Sequence, residues 1–115
     1  MRVGIDIVKI ERIAKIYEKY GEKFKIKFLS KKEIEEIKSV DSLAGYFAVK
    51  EATSKALGVG IGASFGFLDV KIVKNTLNAP KLKFKKAIKK KFKIKKSTIS
   101  ISHDGGFVVA VVVIE

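Results

Sequence analysis

Residues 43–58 read LAGYFAVKEATSKALG. Alanine and bulky apolar residues dominate the stretch, the composition of a helix buried on most of its sides. The same stretch carries Glu51 and Lys55, spaced i,i+4, and then enters a glycine-rich loop, GVGIG (58–62). At about 100° per residue, Glu51 falls between Phe47 and Lys55 with Ala44 and Ala48 beside it, which sets its carboxylate on a close-packing face. Burying an ionised carboxylate is expensive without a partner or a metal. A Glu51–Lys55 pair on a solvated edge is one explanation, and such a pair contributes only ~0.3–0.5 kcal/mol.

Upstream, RVGIDIV (2–8) reads as a strand that contains Gly4. A helix follows over about 9–20, with Ile10, Ile13, Ile16, Tyr17 and Tyr20 at helical spacing and Gly21 as its stop. EKFKIKFL (22–29) fits either a strand or a short amphipathic helix. Ser30 and Glu33 form an S-x-x-E capping box that starts a helix at about 31–38. Asp41 or Ser42 is the expected cap of the long helix, which ends at Gly58.

Downstream, FLDVKIVK (67–74) alternates as a strand, NAP (78–80) reads as a turn and KLKF (81–84) as a second strand. KKAIKKKFKIKK (85–96) is a lysine-dense surface segment of one or two helical turns. STISISH, DGG and FVVAVVVI (97–114) make a β-hairpin signal. The last strand is apolar on both faces, so both need cover. The expected fold is α+β, an antiparallel sheet with one long helix packed on it, in a single domain over 1–115.

At 115 residues, 47% of them apolar, the chain is long enough for a real core. It has no cysteine, which excludes disulfides, thiolate metal sites and a cysteine nucleophile. The opening MRVGIDIVKI does not read as a signal peptide, and no apolar run approaches the ~20 residues of a spanning helix. A soluble, cytoplasmic protein without a membrane partner is expected. Lysine and arginine number 25 against 12 acidic residues, a net charge of +13. Such a balance favours a polyanionic partner: nucleic acid, an anionic membrane or an acidic protein.

Asp6 sits in GIDIV between Ile5 and Ile7, where strands rarely place an acid. It is either a strand-end cap for the next helix or, with Glu51 and Lys55, part of an oxygen-ligand Mg²⁺ site serving a phosphate substrate. Magnesium typically takes one or two carboxylates, with water and substrate phosphates completing the octahedron. His103 is the lone histidine, so no zinc site can form on it; beside Ser100, Ser102 and a tight turn it could donate to a phosphate. GVGIG is neither a P-loop nor a dinucleotide fingerprint. Its glycines allow close backbone approach to a ligand, and Gly58 also suits a helix C-terminus.

GIDIV (4–8), FAVKEATSKALGVGIG (47–62) and SISHDGGFVVAVVVIE (100–115), in this order, resemble the holo-acyl-carrier-protein synthases, the short trimeric class of 4′-phosphopantetheinyl transferases. The resemblance covers essentially the whole chain. It implies transfer of the 4′-phosphopantetheine arm of coenzyme A to a serine of an acidic apo acyl-carrier protein, with release of 3′,5′-ADP, in fatty acid biosynthesis. It implies Mg²⁺ held by Asp6 and Glu51, and Lys55 neutralising the pyrophosphate as charge develops. It sets Gly58, Gly60, Gly62, Pro80 and His103 against coenzyme A. Arg12, with Lys9, Lys15 and Lys19 on the same helix, would meet the carrier protein. A homotrimer with sites between subunits follows from it too. The base that activates the serine stays open between Glu51 and a metal-bound water.

Two positions depart from the family pattern. Tyr46 stands where the family commonly has an arginine that helps hold a coenzyme A phosphate, and Asn78-Ala79 replaces the usual Gly-Lys before Pro80. The alternative function is a small basic nucleic-acid-binding domain, supported by the net charge and the 85–96 lysine run. Few arginines, no reader motif and aromatics at core spacings stand against it.

Overall fold

Gly105 and Gly106 both adopt positive φ, 56° and 82°, the backbone a two-residue hairpin turn of the right twist requires. They join β4 (Ser97–Asp104) to β5 (Phe107–Ile114). The N-terminal β1 (Arg2–Lys9) closes along the other edge of β5, from Arg2 opposite Ile114 to Lys9 opposite Phe107. All the pairings are antiparallel. The structure is a computed structural model and describes every residue from Met1 to Glu115.

Between β1 and the hairpin come α1 (Ile10–Tyr20), α2 (Glu22–Phe28), α3 (Lys31–Glu36) and the long α4 (Val40–Ala56). A 3-10 turn (Phe67–Asp69) leads into a separate ribbon of β2 (Val70–Lys74) and β3 (Pro80–Phe84), and α5 (Lys86–Lys91) leads back to β4. The α+β class is as expected, but the strands divide into a three-stranded sheet of order β1-β5-β4 and the two-stranded ribbon.

α4 lies on the inner face of the larger sheet. Its i,i+4 ridge of Ala44, Ala48, Ala52 and Ala56 is buried throughout, and such small residues let a helix come close to a strand. The closest approach is at Gly4, where a Cβ would overlap the Ala52 carbonyl oxygen and lie 2.6 Å from the Ala56 nitrogen. That contact explains a glycine inside a strand. The other side of α4 carries Phe47, which meets Phe28 edge-on at 5.4 Å and Phe67 at 5.7 Å.

The deepest polar feature is an ion pair. Lys50 is 0% exposed and Glu33 only 2%. The Lys50 ammonium donates to the Phe28 carbonyl at 2.7 Å, to Glu33 Oε1 at 2.9 Å and to the Phe67 carbonyl at 3.0 Å, which uses all three of its protons. Glu33 Oε1 also accepts from the Ser30 backbone at 2.8 Å, and Oε2 from the Ile72 backbone at 3.0 Å. No buried side-chain polar atom in the protein lacks a partner. Burial pushes the Lys50 pKa down while Glu33 pulls it back up.

Several boundaries differ from the sequence expectation. Residues 22–28 resolve the ambiguity as helix, because Phe24 and Phe28 stack at 4.9 Å one turn apart. Ser39, not Asp41 or Ser42, caps α4 by accepting from the Ser42 backbone, and the helix ends at Ala56 rather than Gly58. Tyr20 leaves the core stripe and is exposed, since α1 stops there and nothing covers its last turn. The Ser30–Glu33 capping box forms as read, but α3 ends at Glu36.

Removing the carboxylate of Glu33 leaves a buried ammonium without its counter-charge, which costs about 3–5 kcal/mol. Glu33→Ala is therefore expected to lose that much in urea unfolding. The double variant Glu33→Gln with Lys50→Met should recover a large part, because no buried charge remains.

Candidate functional site

β1 turns Gly4, Asp6 and Val8 toward α4, while Val3, Ile5 and Ile7 point outward and are exposed. Period-2 alternation thus aims the Asp6 carboxylate at the last turns of α4. There Lys55 donates to Asp6 Oδ1 at 2.9 Å and to the Ile5 carbonyl at 3.2 Å. The solvated Glu51–Lys55 pair does not form, because Lys55 reaches across to the strand instead.

Glu51 is half-buried and makes no ion pair of its own. Its pKa lies above the ordinary value, first because burial disfavours the charged form and second because the Asp6 charge is near; Lys55 and Arg12 act in the opposite direction. Asp6, Glu51, Lys55 and Arg12 therefore form one electrostatic cluster at the junction of β1, α1 and α4. Two carboxylates facing the same space repel, and a cation between them would relieve that repulsion. The donors are hard oxygens, as magnesium requires. No group of three or more His, Cys, Asp or Glu side chains converges anywhere in the chain. A metal held here would take two protein ligands and leave its other positions to water and substrate oxygens.

A second feature lies along the N-terminal half of α4. A groove of about 440 Å³ runs between α4, the ribbon and β4, lined by Ser42, Tyr46, Lys74, Asn78, Pro80 and His103 among others. The His103 Nε2 lies 3.3 Å from the Asp41 carbonyl oxygen. Gly45 faces the ring, and a Cβ there would stand at ordinary contact distance, 3.7 Å, from Nε2. Asn78 holds φ at 65°, a conformation asparagine tolerates better than most residues, so it does here what a glycine would do. Asn75 accepts from the Leu77 and Ala79 backbones and fixes the same turn.

Asp6, Glu51, Lys55 and Arg12 thus come together, and so do Pro80 and His103. The two sets lie at opposite halves of α4 within one chain. Gly58 and Gly60 adopt φ of 77° and 66° in an open loop, and with Gly62 they line neither feature. Arg12, Lys15 and Lys19 on α1 are exposed, and so is Lys9, which ends β1 rather than starting the helix; Lys15 is paired with Glu11 at 3.0 Å. Sequence reading missed Lys74, which lines the groove together with Tyr46. Its position two residues after Ile72 on the inward side of β2 was the available signal.

Comparison with known proteins gives a consistent answer. Residues 2–112 match the model of the 4′-phosphopantetheinyl transferase superfamily. A holo-[acyl-carrier-protein] synthase of Aliarcobacter butzleri is 58% identical over 111 residues, covering 96% of this chain and 94% of that protein. The crystal structure of the Helicobacter pylori holo-[acyl-carrier-protein] synthase in complex with coenzyme A superposes with a TM-score of 0.95 at 48% identity, over 98% of this chain and 99% of that one. A Bacillus anthracis holo-(acyl-carrier-protein) synthase in complex with coenzyme A (3′,5′-ADP) gives 0.82 at 34% identity, over 98% and 94%.

The raised Glu51 pKa has a consequence for stability. An acid whose pKa is higher folded than unfolded stabilises fully below the unfolded value, and that contribution is lost as pH rises through the folded value. In metal-free buffer, Glu51→Gln is expected to be more stable than the parent chain at pH 7, with the difference vanishing below the ordinary glutamate value of 4.5. Thermal unfolding across that pH range measures it.

Proposed function

The chain belongs to the 4′-phosphopantetheinyl transferase superfamily, and from that membership we propose that it is a holo-acyl-carrier-protein synthase. It moves the 4′-phosphopantetheine arm of coenzyme A onto a serine of apo acyl-carrier protein and releases 3′,5′-ADP. The names of its relatives support this, as do coenzyme A and 3′,5′-ADP in the complexes that share its fold. The observation that carries the reading is the Asp6–Glu51 carboxylate pair with Lys55 against it.

In the reaction, the serine hydroxyl gives up its proton to Glu51 or to a water as its oxygen bonds to the phosphorus next to pantetheine. The bond from that phosphorus to the bridging oxygen of the nucleotide breaks, and 3′,5′-ADP leaves with the electron pair. Asp6 and Glu51 would hold Mg²⁺, which when bound neutralises and orients the pyrophosphate. Lys55, tethered by the Ile5 carbonyl and Asp6, presents a fixed positive charge where negative charge builds on the bridging oxygen. Pro80 and His103 would hold the nucleotide end in the α4 groove, and Lys74 would supply the cation that Tyr46 does not. Arg12, with Lys9, Lys15 and Lys19, would receive the acidic carrier. The glycines 58–62 would let the chain approach coenzyme A closely.

A homotrimer fits this reading. Val3, Ile5 and Ile7 stand 57–62% exposed on the outer sheet face, directly opposite the half-buried Val113, Val111 and Val109. An apolar strand face of this kind calls for cover. A site built between copies would let one subunit's carboxylate pair meet another subunit's groove. No helix is long and apolar enough to cross a membrane, which accords with a cytoplasmic enzyme of fatty acid biosynthesis.

Mass spectrometry of apo carrier protein incubated with this chain, coenzyme A and Mg²⁺ should show the gain of one phosphopantetheine arm. Asp6→Asn and Glu51→Gln should each lower kcat at least a hundredfold with the fold intact, in line with the loss of one transition-state contact. Unmodified carrier protein, or variants at near-parental rate, would refute the assignment.

Assembly has its own test. Ile5→Lys sets a charge in the middle of the apolar face and should convert a trimer to monomers in light scattering. Loss of transfer should accompany it. A parent chain that is fully active as a monomer would refute the shared site.

A further inference from the structure

Residues 70–103 hold twelve lysines and not one acidic side chain, while the rest of the chain holds thirteen basic residues against twelve acidic ones. All but one unit of the excess charge therefore sits on the ribbon, α5 and the segment into β4. α1, the helix assigned to the carrier, holds two acids, Glu11 and Glu18, among its own cations.

The lysines are arranged, not merely numerous. On the outward side of the ribbon, Lys71 is directly opposite Lys83, and Lys81 lies opposite Val73. Like charges directly across an antiparallel pair destabilise it. On α5, Lys86, Lys89 and Lys90 are exposed and share one face at i, i+3 and i+4, while Ile88 goes to the core. Only two lysines of the segment pair with a carboxylate, Lys85 with Asp69 and Lys96 with Glu115. A local rule broken without compensation marks a surface with another task.

We propose that this lysine face binds the surface of an anionic phospholipid bilayer, peripherally and reversibly. Three observations choose lipid over other polyanions. The segment contains no arginine and no exposed aromatic, since Phe84 is buried and Phe92 packs on Phe65. Stacking and bidentate readout of nucleic acid therefore have nothing to work with. Stable protein interfaces are built round a buried apolar centre, and the exposed residues here offer nothing larger than the single Leu77 at the ribbon tip. The one strongly exposed apolar side chain of the segment is Leu77, 87% exposed at the tip of the ribbon turn. That is the kind of group that enters the interface of a bilayer while lysines hold its headgroups.

Each lysine near an anionic membrane raises its partitioning by about fivefold. The test uses the full chain in its native assembly. Sedimentation is measured with vesicles of equimolar phosphatidylglycerol and phosphatidylcholine, and with pure phosphatidylcholine, at about 0.1 M salt, where screening acts over ~10 Å.

The chain should bind the anionic vesicles and not the neutral ones. The Lys86→Glu, Lys89→Glu, Lys90→Glu variant should bind at least tenfold more weakly. Leu77→Ser should weaken binding a few-fold. Circular dichroism and phosphopantetheine transfer to soluble carrier protein should match the parent in both variants. Failure to sediment with anionic vesicles would overturn the proposal. So would binding that the triple variant leaves unchanged, or tighter binding to a DNA duplex through the same lysines. A chain without transferase activity that still bound lipid in this way would leave the proposal standing, because Lys86, Lys89, Lys90 and Leu77 take no part in the catalytic reading.

Discussion

The buried pair of Lys50 and Glu33 sets the geometry on which the other parts depend. Its hydrogen bonds end on Phe28, Ser30, Phe67 and Ile72, so one ammonium and one carboxylate tie α2, α3, the 3-10 turn and β2 to α4. An ion pair sealed from water gains stability only where further hydrogen bonds satisfy its polar atoms, and here all three ammonium protons and both carboxylate oxygens have partners. The geometric effect is rotational. With Lys50 fixed inward, the next residue, Glu51, is turned toward β1, and Lys55 one turn on can reach Asp6.

The opposite face of α4 imposes the second constraint. Four alanines and the bare backbone of Gly4 bring helix and strand together. That closeness puts two carboxylates from different elements within electrostatic reach. The protein thereby accepts a repelling pair whose natural relief is a divalent cation. Stability and function pull apart at this point, which is common where a site must be prepared in advance of its ligand.

Charge is distributed as unevenly as packing. The carboxylate site and α1 are close to balanced, while the ribbon and α5 carry the surplus. The proposed reaction centre and the proposed polyanion-binding surface thus fall on different parts of a small molecule. Salt screens the second far more than the first.

The sequence by itself determined the hairpin, the capping box and the burial of α4, because turn stereochemistry, capping and apolar periodicity act between near neighbours. It marked Asp6, Glu51 and Lys55 as well, since charges inside apolar runs stand out locally, and the resemblance gave them roles. Tertiary structure decided the rest. Glu33 read only as a capping residue and Lys50 as one more lysine; that they meet inside depends on the path of the chain between two residues seventeen positions apart. The partner of Lys55 could not be read from i,i+4 spacing, because the strand brought Asp6 closer to its ammonium. The helical state of residues 22–28 was equally open, for its alternation suited two periods until Phe24 and Phe28 found Phe47 and Phe67. Periodicity says which face a residue shares, but only the packed chain says what that face meets.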